Sequence, residues 1–293
     1  MIDIKRETTR VAGQGGLELA LHRFVAPTAT PSGTTLLCLH GFLDAGATWD
    51  RVAAPLAGIG HEVLALDFRG FGESESVGRG GYLHFPDYVA DVDAVVRALD
   101  RPKLVLVGHS MGGTVACLYA GARSERLVQL VLVEGLGPPA MSHEQGLFRM
   151  RQWLTDLERP PTPRTLRSHE DAVRRLAMNH PAVPRELLEL RARQLTRPSD
   201  DELVWSHDPM HRTTSPMPFS VEALKAFLRA IRVPVLHVGG GPTGFHPEDE
   251  DERLAAIPEV TRVELEGAGH MVHWTRPAEL AAAIDAFMAA PRR

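Results

Sequence analysis

The stretch LVLVGHSMGGTVA, Leu104 to Ala116, limits the possible folds more than any other in the chain. Four aliphatic residues run into Gly108-His109-Ser110-Met111-Gly112, and Gly113 leads on into small and apolar residues. Glycine two positions before and two after a serine, between a strand and a helix, marks a turn too sharp for side chains at those places. The first amides of the new helix have no intrahelical partner, so they and the helix dipole point at whatever charge develops beside the serine. A strand that ends in a helix also needs a parallel neighbour, which implies a layered α/β sheet.

The rest of the chain supplies those neighbours. Short aliphatic runs occur at Thr35–Leu39, Glu62–Leu66, Lys103–Val107, Leu127–Val133, Val233–Val238 and Val260–Leu265. Continuous rather than alternating apolarity suits parallel strands covered on both faces. Residues 17–25 alternate instead and are expected to form an early edge strand or hairpin. Helical periodicity falls at Pro86–Leu99, Met111–Ala122 and Pro277–Met288. Between 138 and 222 no strand-like run occurs, and Gln145–Leu157, Glu170–Asn179 and Arg185–Leu195 read as short amphipathic helices. A structureless loop of that length is rare in a compact domain, so 138–222 is expected to be a helical cap. Residues 1–137 and 223–293 then form the two parts of the core.

Composition excludes several partners. Of 293 residues 44% are hydrophobic, and the net charge is -5, so no basic patch suggests nucleic acid. No apolar run approaches the ~20 residues of a membrane span. The N-terminal MIDIKRETTR lacks the apolar core of a signal peptide, and a cytoplasmic location is the expectation. Cys38 and Cys117 lie in apolar runs and read as buried thiols. Nothing in the sequence sets the oligomeric state.

A second motif, LLCLHGFLD (Leu36 to Asp44), ends an earlier strand on His40-Gly41-Phe42. Gly41 would let the backbone turn so that the Phe42 amide faces Ser110, the expected nucleophile, pairing with the Met111 amide as an oxyanion hole. With GHSMGG and HGF come LDFRGFGES (Leu66 to Ser74) and GAGHMVHWTRP (Gly267 to Pro277). Over nearly its whole length the chain resembles the α/β-hydrolase family. That resemblance implies a mostly parallel central sheet flanked by helices, with a cap insertion. It assigns structural roles to Asp67 and Arg69 and makes His270, after the last strand, the base. His109 is expected to point away from the site.

The third member of a triad is a carboxylate that orients the histidine. In most of the family it follows the strand before the histidine, but counting from Gly239 that position is Pro242. Glu248, Asp249, Glu250 and Asp251 come later and read more simply as the acidic first turn of a helix. Glu134 ends an apolar strand 24 residues beyond Ser110. Haloalkane dehalogenases and the serine-hydrolase-like group place their acid at that neighbouring strand end, so the resemblance favours Glu134. One of the acids at 248–251, or an incomplete triad, remains open.

Gly239 to Gly244 copies a G-x-G-x-x-G dinucleotide fingerprint with Glu264 downstream, but Pro242 and the acidic segment that follows argue against a pyrophosphate. His207 and His211 stand four apart, but Pro209 breaks the helix that would align them on a metal. Trp49, His207, His273 and Trp274 are expected to line the pocket, with Trp205, Met210, Met111 and Phe71. Arg212 could meet an anionic substrate group or a surface carboxylate. No cofactor and no metal are expected. The expected activity is cleavage of a small-molecule carboxylic ester or related acyl substrate through an acyl-enzyme. Carbon–carbon bond hydrolysis of ring-cleavage products, or a non-catalytic ligand receptor on the same fold, are the alternatives. A serine elbow argues against dehalogenase and epoxide hydrolase chemistry, whose alkyl intermediate would be an ether that water could not release.

Overall fold

The computed structural model describes residues 4–290 except 79, 82 and 201, so the outermost ends of the two core segments fall outside it. In chain order the first half of the core contains β1 (Lys5–Ala12), β2 (Glu18–Val25), β3 (Thr35–Leu39), α1 (Asp50–Gly58), β4 (Glu62–Leu66), α2 (Phe85–Leu99), β5 (Leu104–His109), α3 (Met111–Arg123) and β6 (Gln129–Val133). Then come α4 (Gln145–Glu158), β7 (Thr165–Leu166), α5 (His169–Asn179), α6 (Arg185–Gln194), β8 (Thr196–Ser199) and β9 (Glu202–Trp205). The chain closes with α7 (Val221–Ala230), β10 (Val235–Gly239), α8 (Glu250–Ala255), β11 (Val260–Glu264), α9 (Val272–Thr275) and α10 (Pro277–Ala289).

Eight strands form one sheet in the order β1-β2-β4-β3-β5-β6-β10-β11, with only the β1–β2 and β2–β4 pairs antiparallel. Strand alternation sorts the apolar runs into two cores. Leu36, Cys38, Val63, Ala65, Val105, Val107, Val131 and Val133 pack with Trp49, Leu56, Leu280 and Ile284 from the α1 and α10 side. Leu37, Leu39, Leu64, Leu66, Leu106, Leu130 and Leu132 face Val92, Val95, Val115, Tyr119, Leu224 and Leu228 on the α2, α3 and α7 side. Cys38 and Cys117 are buried free thiols. Among the described residues no helix is long and apolar enough to cross a membrane.

Of the two readings of 17–25 the hairpin holds: it is the second strand, and the charged segment KRETTRVA forms β1 and takes the edge, pairing Lys5 with Val25 through to Ala12 with Glu18. Lysine and arginine on an edge discourage pairing with other chains. The insertion, however, is not wholly helical. β7, β9 and β8 make a small antiparallel sheet, too short and too polar to stand out by period. Apolar residues of the insertion, among them Val173, Leu176, Leu188 and Leu195, pack with Ala45, Met271 and, from α9, Trp274 beyond the carboxyl end of the main sheet. The insertion ends before α7, which is capped by Ser220 and seated on α3: a side chain at Gly121 would meet the Phe227 carbonyl at 2.6 Å.

Candidate active site

Every element of the site leaves the carboxyl end of a parallel strand, where open α/β sheets form their crevices. After β5, Ser110 turns the chain into α3 with φ 53° and ψ -115°, a conformation few side-chain-bearing residues adopt. Close packing enforces it. A Cβ at Gly108 would lie 2.4 Å from the Gly112 carbonyl, and one at Gly112 would lie 2.5 Å from the Leu39 carbonyl. After β6, Glu134 also has φ 53°, with its amide bonded to the Val238 carbonyl at 3.0 Å.

The structure brings Ser110, His270 and Glu134 into one hydrogen-bonded chain. Ser110 Oγ is 2.9 Å from His270 Nε2, and His270 Nδ1 is 3.1 Å from Glu134 Oε2. A carboxylate only accepts, so Nδ1 carries the proton and Nε2 is free to take the serine's. Neither Glu248 nor Asp249 reaches the imidazole: Glu248 is exposed, and Asp249 pairs with Arg253 at 2.7 Å. Glu134 is buried, yet its oxygens are well supplied. Gly240 N–H donates to Oε1 at 2.6 Å, and Phe245 N–H donates to Oε2. The loop that copied a nucleotide fingerprint is thus a cradle for this carboxylate. A Cβ at Gly244 would stand 2.5 Å from Glu134 Oε1, so only glycine lets the loop close over it.

His246 clasps the same loop. It bonds the Gly241 carbonyl and Glu250, each at 2.8 Å. These two acceptors raise its pKa to about 9, the Gly241 carbonyl first. The charged clasp is therefore complete below the ordinary histidine value of ~6.5 and is lost as pH rises through about 9. In an NMR titration the His246 ring should show a midpoint near 9; a midpoint near ~6.5 rules out the clasp.

On the opposite side, His40 positions the loop that carries Gly41 and Phe42. Phe68 N–H donates to His40 Nε2 at 3.1 Å, which leaves Nδ1–H to hold the Gly41 carbonyl at 2.7 Å. Gly41 lies against Ser110, since a Cβ there would be 3.2 Å from that of the serine. Phe42 N makes no hydrogen bond among the described residues, and Met111 N sits in the first turn of α3. Two amides beside a serine–imidazole–carboxylate chain can stabilise an oxyanion as a tetrahedral centre forms.

His109, expected to point away, braces this arrangement by donating from Nε2 to the His270 carbonyl at 2.8 Å and is among the residues lining a cavity at Ser110. Asp67 and Arg69 have structural surroundings. Asp67 accepts from Gly46 N, His22 and Glu73 N, and Arg69 makes a buried fork to Asp91 at 2.6 and 2.7 Å.

Phe42, Met111, His207, Arg212 and Trp274 line cavities beside Ser110, as does Trp205. Trp49 and His273 do not. Both are fully buried and stacked on each other at 4.9 Å, and His273 donates to Asp44 at 2.9 Å. Burial resists the Asp44 charge, but the His273 bond and nearby imidazoles outweigh it and hold its pKa down at about 2. Phe71 is likewise buried beneath His211 at 3.7 Å. Met210 stays out of both cavities.

The sequence reading missed Tyr88, Phe245, Pro138, Arg164, Arg175 and His180, which also reach these cavities. Only Phe245 carried a local signal, as the residue that closes the glycine loop. His211 is no metal ligand with His207: its Nε2 donates to the Arg69 carbonyl at 3.1 Å, and its Nδ1 accepts from the Tyr88 hydroxyl at 2.9 Å. Among the described residues one group could hold a cation by distance alone, the buried Asp44, His109 and His273, with donor atoms within 4.8 Å of one another. Two of these side chains already serve each other and the third holds the His270 loop.

Known proteins of similar sequence and shape agree with this architecture. A serine hydrolase-like protein of Danio rerio is 26% identical over 268 residues, which cover 87% of this chain and 82% of that protein. A probable serine hydrolase of Drosophila melanogaster is 26% identical over 270 residues, covering 86% and 80%. Among solved structures, a hypothetical protein from Pseudomonas aeruginosa PAO1 superposes with a TM-score of 0.85 at 29% identity, covering 97% of this chain and 100% of that one. The thioesterase domain from the curacin biosynthetic pathway superposes at 0.81 with 27% identity, covering 96% and 99%. The family model described as alpha/beta hydrolase fold matches residues 34–277. With the sheet order, the serine elbow and this match over most of its length, the chain belongs to the α/β hydrolase fold family.

Proposed function

We propose that this protein is a serine hydrolase of carboxylic esters or related acyl compounds, thioesters included, acting through an acyl-enzyme. The observation that carries the proposal is the chain from Ser110 Oγ through His270 to Glu134, at 2.9 and 3.1 Å, open to cavities on either side of the serine. Serine-hydrolase-like relatives and a thioesterase among the similar structures support it.

In the proposed reaction Ser110 Oγ attacks the substrate carbonyl as its proton passes to His270 Nε2. The amides of Phe42 and Met111 hold the oxyanion. Collapse of the tetrahedral centre breaks the bond to the alcohol or thiol, which leaves with the proton from His270. A water then gives its proton to His270 and adds to the acyl carbon, and Ser110 departs with that proton. Glu134 orients the imidazole throughout, and the segment 138–220 acts as the cap that bounds the substrate.

A fluorophosphonate probe and a panel of 4-nitrophenyl esters test this reading. Labelling should map to Ser110 and be blocked by substrate, and the panel should be hydrolysed with a burst of nitrophenol. A folded protein that neither labels nor turns over an activated ester is not a serine hydrolase. Turnover of ring-cleavage diketones in preference to esters would shift the assignment to carbon–carbon bond hydrolysis.

A further inference from the structure

Two cavities meet at Ser110, Phe42 and His270, and their chemistry differs. The first, of about 390 Å³, is walled by Leu83, Phe85, Tyr88, Met111, Pro138 and Phe245. The second, of about 420 Å³, runs beneath the insertion and carries Arg164, Arg175, Arg212, His207, Asn179 and His180. Three arginines therefore line one cavity, with Arg164 and Arg175 close enough to Arg212 for their charges to act on it. Among the described residues Asp44 is the only carboxylate lining that cavity, and its Oδ2 is bonded to His273.

The arginines are poorly compensated. Arg212, half-buried, and Arg164 make no ion pair or hydrogen bond among the described residues, so the surface carboxylate expected for Arg212 is absent there. Arg175 reaches Asp171 at 3.2 Å but shares it with Arg174, also at 3.2 Å. Burial first, and then the charges of Arg164 and Arg175, lower the Arg212 pKa. His207 beside it is held neutral, its pKa pushed down to about 4 by burial and by the Arg212 charge. Like charges gathered at a partly desolvated wall repel one another and are stabilised by an anion among them. Guanidinium forks suit planar and tetrahedral oxyanions, and their charge-assisted bonds are the strong ones.

We propose that this second cavity is an anion subsite: Arg212, with Arg164 and Arg175, binds a carboxylate, sulfate or phosphate group of the substrate, while the opposite cavity takes an apolar arm. The inference rests on the serine-hydrolase reading for where the scissile carbonyl sits, but the anion site itself does not need turnover.

Binding to the inactive Ser110→Ala protein tests the site alone. Monomethyl adipate should bind at least about tenfold tighter than methyl hexanoate, the worth of one charge-assisted contact. Arg212→Met in that background should erase the preference, Arg212→Lys should restore part of it, and Arg164→Met, a change at an exposed residue, should reduce it less. No preference in the parent, or one unchanged by Arg212→Met, overturns the proposal. Turnover by the wild type then tells which arm carries the charge. 4-Nitrophenyl adipate monoester against 4-nitrophenyl hexanoate reports a charged acyl group, and 4-acetoxybenzoate against 4-acetoxytoluene reports a charged leaving group. One of these ratios of kcat/KM should favour the anion and fall with Arg212→Met; neither doing so in an enzyme that turns over both neutral esters overturns the subsite. Selective binding of monomethyl adipate without any turnover or Ser110 labelling would keep the anion site and reject the hydrolase reading.

Discussion

Replacing Ser110 by alanine is expected to lower kcat/KM toward every ester by on the order of a thousandfold or more, with the fold intact. The loss follows from removing the one oxygen held 2.9 Å from His270 Nε2. What remains is binding and the two amides of Phe42 and Met111, which can still polarise a carbonyl but have no covalent intermediate to stabilise. Stability should respond to the backbone rather than to the hydroxyl. Ser110 sits at φ 53°, and alanine keeps the Cβ that this conformation penalises. Ser110→Gly removes it, so its Tm should exceed that of Ser110→Ala while activity stays equally low. Steady-state kinetics and thermal unfolding of the two variants decide the matter. An alanine variant with more than about a tenth of wild-type turnover would show that another group is the nucleophile.

The parts of this site that could be read from sequence share a physical cause. Gly108, Ser110 and Gly112 were visible because the elbow leaves no room for side chains at the flanking positions, and that exclusion is written locally. The buried parallel strands were visible because both faces must be apolar, as in Leu36 to Leu39. Glu134 was inferred from Pro242 standing where the family's acid usually stands, but the sequence did not reveal what the loop does instead. Gly240 and Phe245 give Glu134 their amides, so the apparent nucleotide motif helps to hold this carboxylate. Trp49 and His273 misled because an aromatic residue is equally at home against a substrate or inside a core. Only packing decides, and here the two stack together over Asp44. Of the three arginines only Arg212 could be singled out. Arg164 and Arg175 come from other parts of the insertion, with no period linking them to it. β1 escaped notice because an exposed edge strand needs little apolarity.

Glu134→Gln is expected to cut kcat by roughly 10³ to 10⁴-fold with little change in KM, the scale seen when a triad's acid is made neutral without changing its shape. The donors around it give the reason. Three of them converge on this carboxylate, Gly240 N–H, Phe245 N–H and His270 Nδ1–H, at least one on each oxygen. A carboxamide has one accepting oxygen and one donating nitrogen. Whichever way it is turned, its NH₂ faces a donor. The backbone amides cannot yield, whereas the imidazole can shift its proton to Nε2 and accept from the amide. That tautomer no longer accepts from Ser110 Oγ, so the nucleophile loses its base while the substrate cavities are unchanged. If instead the amide turns its oxygen to His270, Gly240 N–H faces the NH₂, as Phe245 N–H does in the first orientation, so either way one backbone donor loses its acceptor in a buried site and the cost of about 1–3 kcal/mol appears as a lower Tm. Either outcome identifies Glu134 as the orienting acid provided turnover collapses. The controls are two of the acids that the sequence left open. Glu248→Gln, at an exposed residue, should leave kcat within about twofold. Asp249→Asn should act on stability, because Asp249 holds Arg253 at 2.7 Å and Arg253 holds the carbonyls of Leu136, Gly137 and Pro138 where the chain leaves β6. If Asp249→Asn abolishes turnover at a temperature where the protein is folded while Glu134→Gln keeps it, the acid is Asp249 and the contact between His270 and Glu134 is structural.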